Sequence, residues 1–266
     1  MREMAALVRA QWLMAVSYRT RFVFSLLSVL VAVVPVYFVS QALQPLLGST
    51  LATQGGQLFS FIVVGTIALL FITTSLGTLA GIIGGGISTG IWEALLATPA
   101  RLPALLGGLA AYELLWTLAR ATVLLVAAWG LGARIAWDGA LLALGILVLV
   151  VLAYLPIGLV TAGLVLAFRS ATPLPRIVLL ASALLGGAYY PTTVIPGWIQ
   201  AVSAWIPLTY GLRAMRRALL EGWTLPQVLP DLEMLLLFDA VLLVAGVAAF
   251  TAALRHARRS GTLSQY

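Results

Sequence analysis

The chain has no cysteine, no lysine and a single histidine, and its acids and bases together make up only 9% of 266 residues. Without cysteine there is no disulfide, no thiolate nucleophile and no cysteine-held metal. The one histidine, His256, excludes a paired-histidine zinc motif. It sits within Arg255-His256-Ala257-Arg258-Arg259, a solvated basic cluster rather than a ligand set. The glycine run Gly84-Gly85-Gly86 has no lysine after it, so it cannot form a phosphate-cradling Walker loop; a span end or a close helix approach accounts for it. The eight acids are scattered rather than clustered. Scarcity of charge also fixes the broad class. A soluble domain carries roughly 25% charged residues, whereas this chain is 62% hydrophobic with a mean hydropathy of +1.08. It cannot cover a water-facing surface and reads as an integral membrane protein. The arginines then act as topology signals and anionic-lipid contacts, not as a nucleic-acid surface.

What is present is long apolar runs. About twenty apolar residues cross the hydrocarbon as a helix. Runs at 22–43, 57–80, 104–132, 139–168 and 232–254 meet that length, and a shorter sixth lies at 176–191. The spacing predicts an all-α integral membrane fold, a single transmembrane domain over 1–266 with six transmembrane helices. Met4, Leu7, Val8 and Trp12 recur at helical spacing ahead of the first run, which predicts an interfacial amphipathic helix rather than a cleavable leader. Residues 194–224 are apolar but broken by Pro196, Gly197, Pro207 and Gly211; Trp198 lies among them and Pro191 just ahead of them. Short re-entrant extracellular helices before the last span fit this pattern, shaping the exit of a pathway or plugging the bundle, since broken helix at membrane depth must rest on protein or water.

Arginine placement orients the chain. With both termini in the cytoplasm of a cell inner (plasma) membrane, Arg2, Arg9, Arg19, Arg21, Arg101, Arg169, Arg176, Arg255, Arg258 and Arg259 lie inside. Arg134, Arg213, Arg216 and Arg217 lie outside, and a seventh span would spoil that balance. Tryptophans 129, 137, 198, 205 and 223 then fall at the outer interface and Trp12 and Trp92 at the inner one, with Trp116 deep. Charges inside spans are Glu113, Arg120 and Asp239; each costs about 2.5–3.5 kcal/mol on insertion scales and needs a partner or water. Span depths suggest an Arg120–Asp239 ion pair, either a structural tie or a polar patch on a pathway or subunit seam. Trp116, Tyr112 and Tyr154 are possible aromatic contacts for a substrate, or simply pack between spans.

The 81–103 loop is cytoplasmic on this orientation. Within it, Gly90 can cap a two-turn helix and places Glu93 at the third position, where a carboxylate meets unpaired N–H groups and the positive end of the dipole, worth about 0.3–1 kcal/mol. Pro99 stops the helix, and Trp92, Leu95 and Leu96 are available to pack on a surface.

The stretch GIWEALLATP at 90–99 resembles the G-T-L-E-x-L-L-x-T-P loop of type-2 ABC exporter permeases. Tyr189-Tyr190-Pro191, Ile195-Pro196-Gly197-Trp198 and Ile206-Pro207-Leu208-Thr209-Tyr210 are similar to that family's FP…LPGWL…LPLTY segment. With the span order, the resemblance covers essentially the whole chain. It implies that Gly90, Trp92, Glu93, Leu95, Leu96 and Pro99 form a coupling helix. It also implies that the chain is not itself an enzyme and works with two separately encoded ATP-binding subunits that bind ATP and Mg. A second permease copy, identical or paralogous, and membrane lipids complete the expected partners, and no cofactor is expected on this chain. The implied function is export of an amphipathic, drug-like or lipid-linked substrate; the alternative is a membrane enzyme or secondary transporter acting without an ATPase. Ile91 and Trp92 depart from the family's Thr and Leu, and Gly84-Gly85-Gly86-Ile87-Ser88 replaces its usual charges before the loop.

Overall fold

The computed structural model describes residues 9, 12–13, 19–47, 57–89, 102–168 and 173–259. Among these the chain is helical throughout, with no strand. Five helices are long and apolar enough to cross a membrane. They are α1 (Arg19–Leu47), α2 (Leu58–Thr89), α3 (Leu102–Gly130), α4 (Ala140–Phe168) and α8 (Leu225–Arg259). Between α4 and α8 come α5 (Leu174–Leu185), α6 (Gly197–Ser203) and α7 (Pro207–Leu220).

The sixth expected run is shorter than the sequence reading had it. Helix α5 has 12 residues, about 18 Å at 1.5 Å per residue, against a hydrocarbon core of about 30 Å. It stops at Gly186-Gly187, where Gly187 takes φ +77°, a left-handed conformation that favours glycine. The last span is longer than expected, because it begins at Leu225 rather than 232. Pro226 sits in its first turn, where a missing N–H does no harm, and Asp231 is accommodated within the helix by two arginines described below.

Of the expected N-terminal interfacial helix, only Arg9, Trp12 and Leu13 are described, all helical and exposed. The expected coupling helix, with Gly90, Trp92, Glu93, Leu95, Leu96 and Pro99, lies outside the described residues. Helix α2 does continue through Gly84, Gly85 and Gly86 to Thr89.

Helix α2 is the most buried of the long helices, and α4 packs against it and against α8. A β-carbon at Gly158 would collide with the Ser75 carbonyl oxygen, so only glycine lets α4 approach the α2 backbone this closely. The core is aliphatic and aromatic, with Phe61, Ile72, Leu76, Ile146 and Tyr154 fully enclosed. Hydroxyls inside the spans are satisfied locally. Thr66, Thr73, Ser75 and Thr161 each donate to the carbonyl four residues back, at 2.8–3.0 Å, as a hydroxyl without water must.

Contacts set the helix directions. Gly246 of α8 lies on Pro156 of α4, and Phe250 and Ala253 lie beside Gly163, so α8 and α4 run parallel. Chain residues 169–224 must therefore return from the far end of α4 to its start. The return begins with α5, whose Ser182 hydroxyl meets the Tyr154 hydroxyl at 2.6 Å, and continues through Ala188, which touches Gly65 near the start of α2. The end of the bundle where α4 starts carries Trp129, Trp137 and Trp223; it is called the tryptophan end below. Trp129 and Trp137 stack edge to face there, with centroids 6.0 Å apart.

Candidate functional site

The proline-punctuated segment folds as a hairpin that dips into the bundle. Pro191 is buried and leads into a single 3-10 turn at Thr192–Val194. Pro196 precedes α6, whose first residue is Gly197, and Trp198 is exposed on it. The Gln200 amide donates to the Ile195 carbonyl at 2.8 Å, holding the start of α6. Pro207, buried, opens α7 at the first helical position, where its fixed φ is already helical. Thr209 Oγ1 donates to Ser203 O at 2.8 Å and Tyr210 to Ala204 O at 3.1 Å, closing the α6–α7 corner.

The hairpin's depth follows from its contacts with α4. Ala218 lies on Gly139, Gly211 on Val150, and Pro207 shares a cavity wall with Tyr154. Helix α7 is therefore antiparallel to α4. Its tip reaches the level of Tyr154, about 21 Å along α4 from Ala140 at 1.5 Å per residue. Trp205, assigned above to the interface, lines the same wall and so lies at this depth. A β-carbon at Gly211 would clash with the Val150 side chain, so glycine sets how closely α7 can lie on α4. Beneath the tip is a cavity of about 220 Å³ between α4, α5, α7 and α8, apolar apart from the Tyr154–Ser182 hydroxyl pair.

Three arginines of α7 bind the hairpin into the molecule, and the sequence reading had counted them only as outer-loop charges. Arg216 is buried. It donates to the carbonyls of Gly187 (2.9 Å), Ala188 (2.9 Å) and Phe61 (3.2 Å), and its guanidinium carbon stands 3.3 Å from the Phe61 ring centroid. One cation thus ties α7 to the α5 turn and to α2. Arg213 and Arg217 share a different face and clasp Asp231 of α8 from two sides. Arg217 Nη1 to Asp231 Oδ2 is 2.9 Å, Arg213 Nε to Oδ1 is 2.8 Å, and Arg213 Nη2 pairs with Oδ1 as well. Asp231 is only 3% exposed. Arg213 also lies over Tyr210, and Arg217 over Trp223. At the end of α7 burial pushes the Glu221 carboxyl up, with Arg217 opposing. The signal in the sequence was the i, i+4 spacing of Arg213 and Arg217, which puts them on one face with Arg216 turned about 100° from Arg217. Their partners are remote in sequence, so spacing alone did not identify them.

The intramembrane charges do not assemble into one site. On α3, Arg120 donates to Thr117 Oγ1 at 3.1 Å. That hydroxyl lies 2.8 Å from Thr74 of α2 and donates to the Glu113 carbonyl at 2.8 Å. Glu113, Trp116 and Arg120 are all half-buried on this helix. Asp239 stands on α8 with both carboxylate oxygens screened and no partner among the described residues. The suggested Arg120–Asp239 pair does not form within the chain. The physical reason is depth and side. Asp239 lies about 21 Å from the start of α8 and Arg120 about 15 Å from the end of α3 by the helix rise, and α3 packs on α1 and α2 while α8 packs on α4 and α7. Tyr154 is fully enclosed and hydrogen-bonded, a packing residue that also lines the cavity. Ser88, which stands in a G-x-S-x-G context at 86–90, lies on continuous helix rather than in the strand-to-helix elbow of a hydrolase. Among the described residues no group of three His, Asp or Glu side chains could hold a metal.

A bundle of long apolar helices with a proline-started hairpin packed into one end defines a polytopic membrane protein. The comparison with known families agrees. The signature of the ABC-2 type transporter membrane domain matches residues 2–220, and the chain belongs to this family. No curated protein matches it. ABC-2 permeases are transport subunits without a catalytic domain and work with ATP-binding subunits. Membership decides against the alternative of a membrane enzyme or a transporter acting without an ATPase.

Proposed function

We propose that this chain is the permease half of an ATP-driven exporter that moves an amphipathic, drug-like or lipid-linked substrate outward. The observation that carries the reading is the hairpin whose tip stops about 21 Å along α4: it leaves an apolar cavity of about 220 Å³ between α4, α5, α7 and α8. A substrate with a hydrocarbon part can occupy such a space without an ion or proton partner.

The chain crosses six times, with α5 and the turn to Pro191 making the fifth crossing, and both termini are cytoplasmic. The parallel course of α4 and α8 supports this count, and the ten arginines assigned to the inner side support the orientation. The GIWEALLATP stretch is the coupling helix. Trp92, Leu95 and Leu96 meet an ATPase subunit, Gly90, Glu93 and Pro99 start and stop the helix, and two such subunits carry ATP and Mg. Two permease copies face each other across a membrane seam.

Co-expression with candidate ATPase subunits and pull-down from detergent tests this. We expect a stable complex whose ATPase rate responds to the permease, and loss of transport in Glu93→Ala and Leu95→Ala. Transport by the chain alone, without ATP, would overturn it.

A further inference from the structure

A second cavity, of about 280 Å³, opens at the tryptophan end between the end of α1, the start of α2 and the α3–α4 loop. Its polar residues are Ser40, Gln41 and Gln44 on α1, Gln57 ahead of α2, and Arg134 on the loop, and Phe59 forms an apolar wall. None of the lining residues is acidic.

Hydrogen bonds fix which way the key amide faces. The backbone N–H of Arg134 and the hydroxyl of Ser60 both donate to Gln57 Oε1, each at 3.0 Å. A backbone N–H can only donate, so the oxygen must face it, and the Gln57 –NH2 group is left with no partner among the described residues. Gln44 Oε1 accepts from the Leu58 N–H at 2.8 Å. The loop that carries Arg134 is pinned through its backbone, by that Gln57 bond and by a second to Ser60 Oγ at 3.1 Å. The guanidinium itself makes no hydrogen bond or ion pair among the described residues. The cavity therefore offers the Gln57 N–H donors and the positive charge of Arg134 beside an apolar wall.

Its level in the membrane comes from its neighbours. Arg134 lies between Trp129 and Trp137, which stack on each other at 6.0 Å, and paired tryptophans of this kind sit where headgroups begin. The volume of about 280 Å³ leaves room for a headgroup beside the apolar wall.

We infer that this cavity binds the phosphodiester headgroup of an amphiphile, with Arg134 and the Gln57 amide donating to the phosphate oxygens and Phe59 meeting the first methylenes. Arginine–phosphate contacts are charge-assisted and geometrically matched. A bilayer phospholipid and a phosphate-bearing cargo share this chemistry.

The test uses the full chain, purified in a nonionic detergent and titrated with short-chain phosphatidylglycerol and, separately, short-chain diacylglycerol, which has the same tails but no phosphate, with bound lipid counted by native mass spectrometry. We expect phosphatidylglycerol to be retained in preference. Arg134→Gln should weaken its retention about tenfold, equivalent to about 1.4 kcal/mol, Gln57→Leu should weaken it less, and Arg134→Lys should keep most of it. Arg176→Gln, at the opposite end of the bundle, should leave retention unchanged. Thermal unfolding of each variant establishes that the fold is intact. Equal retention of the two lipids, or unchanged phosphatidylglycerol retention in folded Arg134→Gln, overturns the inference. Adding the ATPase partner and ATP separates the sources: resident lipid stays bound, and cargo exchanges. Binding needs no transport, so a failure here leaves the permease reading standing, and the reverse also holds.

Discussion

Arg216 is the residue on which the hairpin depends most. A desolvated guanidinium over an aromatic ring is worth about 2 kcal/mol or more, and each hydrogen bond involving a charged group about 1.5–3 kcal/mol. Arg216→Met would keep the bulk but leave the carbonyls of Gly187, Ala188 and Phe61 without this donor. A loss of about 3 kcal/mol should lower Tm by roughly 6–12 °C in detergent, at about 2–4 °C per kcal/mol for a chain of this size. Arg216→Lys should recover only part, because an ammonium cannot fork to separate carbonyls in one plane. Asp239 is the opposite case. Its oxygens have no described partner, so Asp239→Asn should leave Tm unchanged or raise it. A clear fall in Tm would mean that the carboxylate is engaged by a second copy or another subunit. Sequence reading identified Asp239 as a costly intramembrane charge because hydropathy alone exposes such a residue. It could not identify Arg216, whose partners lie as far as 155 positions away and are backbone carbonyls with no signature of their own.

At the level of elements, the hairpin was legible because proline and glycine act locally: Pro196, Gly197 and Pro207 start α6 and α7 where the chain pattern placed breaks. Long spans were legible for the same reason, since apolar length is a local property. The lengths of α5 and α8 were not, because tertiary contacts set them. Asp231 looks like the end of an apolar run until Arg213 and Arg217 neutralise it, and only then can α8 begin seven residues early. The misplaced start of α8 in turn put Asp239 too shallow and made a pair with Arg120 look reachable. Asp231→Asn should separate α7 from α8 and leave two arginines side by side. Because Arg213 and Arg217 are 47% and 32% exposed, solvent screens much of the attraction, and the expected loss is about 1–3 kcal/mol, read as a fall in Tm. Gly211→Leu should do more at the tip, since its side chain would meet Val150 and lift α7 from α4; limited proteolysis at the α6–α7 corner should then speed up.

For the whole molecule, the lack of cysteine makes topology directly measurable. Asp138, exposed on the short turn before α4, can be replaced by cysteine with no background thiol to react. In intact cells an impermeant maleimide should label Asp138→Cys at once and Ser264→Cys only after permeabilisation. The reverse pattern would invert the proposed orientation while leaving the family assignment untouched. The family was legible from the loop at 90–99 and the hairpin prolines taken together, and substrate identity was not, because a largely apolar cavity wall carries no chemical signature. The arginine clasp has one more consequence, for the order in which the protein is made. Every partner of Arg216 precedes it in the chain, so α7 can anchor as soon as it emerges from the ribosome. Arg213 and Arg217 must wait for Asp231. A nascent chain stalled before residue 225 therefore carries a half-seated hairpin with two unneutralised cations, a natural target for quality-control proteases until the last helix arrives.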